Sequence, residues 1–229
     1  MPEPTPLRPP GEPGEPRHGA PRATPGGNVV LVPVKPPVVG KSRLGELGPR
    51  PRTVLAEAFA LDTIAACLAT DTVAAVLVVT DDAGFSTRAA ALGSTAIPDG
   101  VSDDLNGTLR QAAAEARRRW PDLRPVAVCA DLPALRPAEL RAALDAMAGP
   151  HPCFVADAAG VGTTVYAAAY DEFDPRFGPG SCAAHLDAGA RQVEAAPSVR
   201  RDVDDLDDLR DALGLGVGPR TVDAARGVS

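Results

Sequence analysis

A three-layer α/β/α domain with a mostly parallel sheet is the fold this sequence predicts, and three features carry the prediction. Between residue 28 and about residue 214, short apolar runs alternate with stretches of helical period, the order that builds β-α-β units. The runs NVVLVPV (28–34), VAAVLVV (73–79) and PVAVC (125–129) are almost continuously apolar rather than alternating, as strands covered by helices on both faces are. Polar residues stand where these runs end, at Lys35, at Thr80 to Asp82 and at Asp131. Ligands of such sheets bind at that carboxyl edge.

Residues 1–27 are crowded with Pro and Gly and hold almost no large apolar side chain, so they cannot offset their ordering entropy and are expected to form a disordered tail. The first strand spills into a loop carrying Lys35, Gly40, Lys41 and Arg43. After Arg50 a helix follows, with Val54, Ala58, Leu61, Ala65 and Leu68 forming one stripe. The second strand ends at Val79. A short helix through Arg88 to Leu92 and a brief strand, Thr95 to Ile97, lead into the loop VSDDLNGTL. Leu105, Leu109, Ala112, Ala113 and Ala116 mark the next helix, whose basic end Arg117 to Arg119 suits a helix C-terminus. The third strand delivers Asp131, and a helix starts at Pro137, a residue tolerated in a first turn.

Farther on, Phe154 to Ala156 and Thr163 to Ala169 read as two strands separated by the turn-forming DAAGVG. The segment FGPGSCAAHLDAGA is a Gly/Pro turn feeding a short helix. A compact helix then carries Leu206, Leu209 and Leu213 on one face with Gly214 as its C-cap. Residues 215–229 are expected to fray as a C-terminal tail, leaving 28–214 as the single domain.

Composition narrows the function. In 229 residues the formal net charge is -7, which argues against a general nucleic-acid binder; an anionic ligand must be held locally. Cys67, Cys129, Cys153 and Cys182 stand singly, without C-x-x-C or zinc spacing, and read as reduced core thiols. There is no N-terminal apolar h-region and no run of 18 apolar residues, so the expected location is the cytoplasm. The three histidines, His18, His151 and His185, are scattered and suggest no covalent nucleophile.

Lys35, Lys41 and Arg43 with one Gly at the end of a first strand suit a triphosphate, which needs neutralising charge and close backbone approach. The Walker order and G-x-G-x-x-G are both absent, and a solvated basic turn is the alternative. Asp131 after a buried strand is placed to hold a hard cation such as magnesium, or else caps a helix. Asp202 and Asp204 in RRDVDD could supply a second carboxylate if their segment returns beside Asp131; the six aspartates between 202 and 211 also suit a solvated helix start. Thr163 and Thr164, then Gly178, Gly180 and Ser181 before a helix, form a second anion-binding candidate or an ordinary turn with a Ser cap. Asn106 could read a base edge or ribose, or serve as a turn residue.

Taken in order, PVKPPVVGKSRL, VVTDD, DLNGTL, ADLPALRP, FVADAAGVGTT, FGPGSCAAHLDAGA and RRDVDDLDDL resemble the guanylyltransferases of deazaflavin coenzyme F(420) biosynthesis, across Val29 to about Leu213. The resemblance implies a Rossmann-like, GT-A-like nucleotidyltransferase fold and transfer of GMP from GTP to phosphoenolpyruvate or 2-phospho-L-lactate. It implies that Lys35, Lys41 and Arg43 grip the triphosphate, that Asn106 touches the nucleoside, and that Asp131 with Asp202 or Asp204 holds Mg2+. Thr163, Gly178 and Ser181 would bind the phosphoenolpyruvate end. RRDVDDLDDL departs from the family where Thr-Pro more often follows the second Asp, which leaves the second metal ligand open. A transferase acting on a sugar phosphate or molybdopterin, and a non-catalytic nucleotide-binding module, are the competing readings; the first would not need GTT followed by FGPGS, and the second would be expected to lose Asp131.

Overall fold

The computed structural model describes residues 27–35, 48–101, 104–149 and 151–227. Lys41, Arg43 and the expected tail up to residue 26 lie outside the described residues.

Seven strands form one sheet in the order β3-β2-β1-β4-β6-β5-β7. They are β1 (Asn28–Pro33), β2 (Val73–Val79), β3 (Thr95–Ile97), β4 (Arg124–Val128), β5 (Cys153–Ala156), β6 (Thr163–Ala167) and β7 (Arg191–Gln192). The first four run parallel, with β1 between β2 and β4. The chain therefore winds outward on one side of β1, then returns to start on the other. Such a reversal opens a crevice at the carboxyl ends of the strands it separates. Lys35 follows β1 and Asp131 follows β4, so the two sit on opposite sides of that switch point. β6 runs antiparallel to both β4 and β5; only the six residues 157–162 join β5 to β6, too few for a parallel crossover.

Helices cover both faces. α1 (Pro49–Leu68), α2 (Ala83–Ala91), α4 (Pro137–Ala146) and α6 (Pro197–Arg200) pack on one, α3 (Leu105–Arg119) and α5 (Ser181–Asp187) on the other. Strand alternation divides the core: Val30, Val32, Val76, Val78, Val126 and Val128 face α1, α2 and α4, while Val29, Leu31, Leu77 and Ala127 face α3. Asp104 caps α3 by accepting from the Gly107 N–H at 2.9 Å, leaving Arg117 to Arg119 in its last turn as the charge pattern requires.

Three expectations are corrected. The chain does not fray after 214: α7 (Leu206–Leu215) ends at Gly216, which has φ 90°, and Pro219–Arg226 forms a further helix, α8, against α1. The stripe on α1 is also wider than expected and leaves out Val54, while Ala58 and Leu61 are buried. Val54 is 55% exposed, whereas Leu55, Phe59 and Ile64 are fully buried, because α1 lies between the sheet and the α7–α8 layer and buries more than one face. Leu213 is 41% exposed, and Ala212 turns inward instead.

The α8 start is fastened in an unusual way. Its N-cap, Gly218, has no side chain to offer, and Asp62 from the middle of α1 takes over: Oδ2 accepts the Thr221 N–H at 2.8 Å, and Oδ1 pairs with the Arg220 guanidinium at 3.2 Å. A Cβ at Gly218 would collide with the Asp62 carboxylate, so only glycine lets the helix approach.

Candidate active site

Two crevices meet at the carboxyl edge of the sheet. The first, of about 320 Å³, is lined by Val34, Lys35, Ala56, Ala60 and Leu105 among others. The second, of about 660 Å³, is lined by Gly162, Thr163, Gly178, Gly180, Ser181 and Arg201 among others. Leu105, Cys129, Asp131 and Asp204 border both. Two carboxylates thus stand at the junction, with the basic strand end on one side and the hydroxyl and glycine loop on the other.

The aspartates are brought together by the backbone. The Val203 N–H donates to the Asp131 carbonyl at 3.1 Å, and Val203 is fully buried against Leu55, Phe59 and Ala134. On either side of this buried valine, Asp202 and Asp204 both line the second crevice. Asp204 borders both crevices, and Asp202 only the second. On the other flank Thr63, buried in α1, holds the loop that carries Asp131: its hydroxyl accepts the Leu132 N–H at 3.1 Å and lies 3.2 Å from the Ala130 carbonyl. Nothing in the sequence distinguishes this threonine from an ordinary helix residue.

Oxygen donors of this kind suit a hard cation such as magnesium or manganese. No group of three metal-binding side chains occurs among the described residues. An ion here would be held by one or two carboxylates and complete its shell with water and phosphate oxygens, the usual arrangement for magnesium with nucleotides.

The second crevice is built from two turns. In the β5–β6 turn the Asp157 carboxylate accepts the Val161 N–H at 2.9 Å and the Gly162 N–H at 2.7 Å; a Cβ at Gly162 would strike that carboxylate. In the second turn Gly178 and Gly180 take φ of 136° and 70°, values that L side chains rarely adopt. Thr163 and Ser181, both buried, line the crevice with them. Thr164 does not join: one residue along the strand, it faces away and donates to the Val199 carbonyl at 2.8 Å.

Asn106 is engaged by the protein itself. Its Oδ1 accepts the Phe177 N–H at 2.8 Å and its Nδ2 donates to the Phe177 carbonyl at 2.9 Å. The amide thus holds the Gly178 loop onto α3, with one N–H and one lone pair left over from these two bonds. His185 clamps the adjacent residue, accepting the Arg176 N–H on Nε2 at 2.9 Å. Arg201, also unforeseen, lines the second crevice while paired with Asp208 at 2.9 Å and Asp211 at 3.2 Å.

Burial dominates the titration of the interior groups. It pushes the Cys67 thiol up to about 12, so this cysteine is inert near neutral pH; none of the four cysteines forms a disulfide. It pushes His185 down from 6.5 to about 4. Between those two values the unfolded chain binds a proton that the folded chain does not, so stability is complete above 6.5 and declines as pH falls toward 4. His185→Phe keeps an aromatic ring but cannot titrate. Urea unfolding at pH 6.5, 5.5 and 4.5 is expected to give the wild type a steeper loss than the variant, by up to about 1.4 kcal/mol per pH unit. Parallel pH profiles would remove His185 from the account.

Comparison with known proteins agrees with this geometry. Residues 28–222 match the family described as "Guanylyl transferase CofC like". The chain belongs to that family. Its relatives include phosphoenolpyruvate guanylyltransferases from Thermomonospora curvata, 50% identical over 195 residues covering 84% of this chain and 86% of the relative, and from Streptomyces scabiei, 50% identical over 204 residues covering 86% and 94%. Among solved structures, a nucleotidyl transferase from Methanothermobacter thermautotroptrophicus is similar with a TM-score of 0.60 at 20% identity, over 82% of this chain and 96% of that one. Rv0371C from Mycobacterium tuberculosis, solved in complex with manganese, is similar with a TM-score of 0.51 at 22% identity, over 82% and 98%. The fold is therefore that of the nucleotidyltransferases, and this member of the CofC-like family is a nucleotidyltransferase. No described helix is long and apolar enough to cross a membrane.

Proposed function

We propose that the enzyme transfers GMP from GTP to phosphoenolpyruvate, giving enolpyruvyl-2-diphospho-5'-guanosine and pyrophosphate, as a cytoplasmic step of coenzyme F(420) biosynthesis. The observation that carries the reading is the position of Asp131 and Asp204 at the junction of the two crevices. A triphosphate in the first crevice and an anionic acceptor in the second would meet there. Relatives that are half identical and bear the name phosphoenolpyruvate guanylyltransferase favour that acceptor over 2-phospho-L-lactate.

In this reading Lys35, with Lys41 and Arg43, neutralises the triphosphate. Thr163, Gly178 and Ser181 bind the carboxylate or phosphate of the acceptor. A phosphate oxygen of phosphoenolpyruvate attacks the α-phosphorus of GTP, an oxygen–phosphorus bond forms, and the α–β bridging bond breaks with its electron pair leaving on pyrophosphate. The nucleophile is already anionic, so no general base is required, which accounts for a site without a histidine dyad. The protein must hold two repelling anions in line and keep their charge compensated. Mg2+, held by Asp131 with Asp204, would supply Lewis-acid charge neutralisation at the junction. Asp204 is chosen over Asp202 because it borders both crevices.

The test is a single incubation with Mg2+, equal GTP, ATP and CTP, and equal phosphoenolpyruvate and 2-phospho-L-lactate, with products resolved by mass and pyrophosphate counted. One enolpyruvyl product per pyrophosphate is expected. A dominant lactyl product would overturn the acceptor, and product formed from CTP or ATP in preference to GTP would overturn the nucleotide.

A further inference from the structure

His185 lies on α5 with no exposed surface. Phe154 and Tyr166 stack on its ring at centroid distances of 5.2 and 4.8 Å, and Phe177 meets it edge-on at 5.7 Å. Both ring nitrogens are engaged. The Arg176 backbone N–H, 2.9 Å from Nε2, can only donate, so Nε2 must present its lone pair. A neutral imidazole has one N–H, which is then on Nδ1. Burial, which pushes this imidazole down to about 4, keeps it neutral at physiological pH.

Nδ1 lies 3.0 Å from the Thr163 hydroxyl oxygen. Since the ring nitrogen carries the proton, which the Ser181 carbonyl also draws on, the Thr163 hydroxyl can only accept there and cannot donate back. Its own proton must point elsewhere, and Thr163 borders the second crevice. The direction matters because carboxylates and phosphates only accept: a hydroxyl offering its lone pairs repels them, and one offering its proton binds them. The opposite tautomer would set two N–H groups face to face at Arg176 and let Thr163 spend its proton on the ring.

We propose that His185 is a positioning residue that fixes the Thr163 hydroxyl as a donor to the anionic group of the acceptor. The proposal rests on the second crevice being the acceptor site. One imidazole then performs two tasks, shaping the Gly178 loop through Nε2 and polarising the crevice through Nδ1.

The two tasks separate by substitution, because an Asn amide reaches the place of Nδ1 and a Gln amide that of Nε2. His185→Asn retains a donor for Thr163 and loses the bond to Arg176; His185→Gln does the reverse. With the full chain, GTP and Mg2+, His185→Gln is expected to raise the KM for phosphoenolpyruvate by about 10-fold or more while the KM for GTP stays within about 2-fold, and His185→Asn to recover most of the acceptor affinity. In a Thr163→Val background His185→Gln is expected to add nothing, since the hydroxyl it acts through is gone. Melting temperatures of all variants verify folding. Equal acceptor KM for the Gln and Asn variants, a Gln effect undiminished in Thr163→Val, or an unchanged acceptor KM for Thr163→Val alone would each overturn the proposal. If wild-type chain releases no pyrophosphate from GTP and phosphoenolpyruvate, the assigned reaction falls first and this proposal with it.

Discussion

Asp131→Asn is expected to lower the rate of pyrophosphate release by on the order of 1,000-fold or more, because one charge disappears at the junction of the two crevices, where the proposed reaction brings its anionic reactants together. Asn keeps the side chain's size and one oxygen acceptor, so the loss isolates the charge. The fold should survive. The Val203 N–H bond to this loop uses the Asp131 backbone carbonyl, which the substitution keeps, and the Thr63 fastening uses neighbouring backbone groups. A melting temperature within about 2 °C of wild type is the matching expectation. Turnover above a tenth of wild type at saturating Mg2+ would remove Asp131 from the reacting centre. Asp204→Asn and Asp202→Asn in the same assay rank the two remaining carboxylates, with the larger loss expected at Asp204, which borders both crevices.

The second large effect is on stability. Asp62→Ala should cost roughly 2–4 kcal/mol, because it strips the Thr221 N–H of its partner inside the protein and leaves the Arg220 guanidinium without a counter-charge. For a domain of this size that corresponds to a fall in melting temperature on the order of 10 °C. Arg220→Ala should cost much less: its side chain is 36% exposed, against 2% for Asp62, and water can replace part of what is lost. The contrast separates helix capping from ion pairing. If the two variants melt together, the charge pair and not the cap fastens α8. If Asp62→Ala melts like wild type, α8 is held only by its packing on α1.

Much of this protein was legible from local pattern. Continuous apolar runs located β1, β2 and β4, because a strand buried on both faces leaves no position for polar residues, and the ends of those runs placed Lys35 and Asp131 at one edge. The basic last turn of α3 followed equally from neighbours in sequence. The glycines of FGPGS were found because positive φ is a demand on one residue.

What the sequence could not supply were relations between segments far apart in the chain. Asp62 reads as a polar residue on an apolar helix, and only the docking of α8 about 160 positions later shows it to be a cap. Asn106 carries the same amide whether it meets a nucleoside or the Phe177 backbone, 71 residues away; hydrogen-bonding capacity is in the side chain, but the partner is chosen by packing. His185 looked incidental until α5 brought its ring between Phe154 and Tyr166 and set its nitrogens against Arg176 and Thr163. That Asp204 borders both crevices and Asp202 only the second likewise waited on the return of this segment beside Asp131. By itself the sequence determined the buried strands, the glycine turns and the chemical types available at the sheet edge, since these depend on a residue and its near neighbours. Only the tertiary structure decided which polar groups line the crevices and which are bound within the protein, because that depends on what the rest of the chain brings within 3 Å.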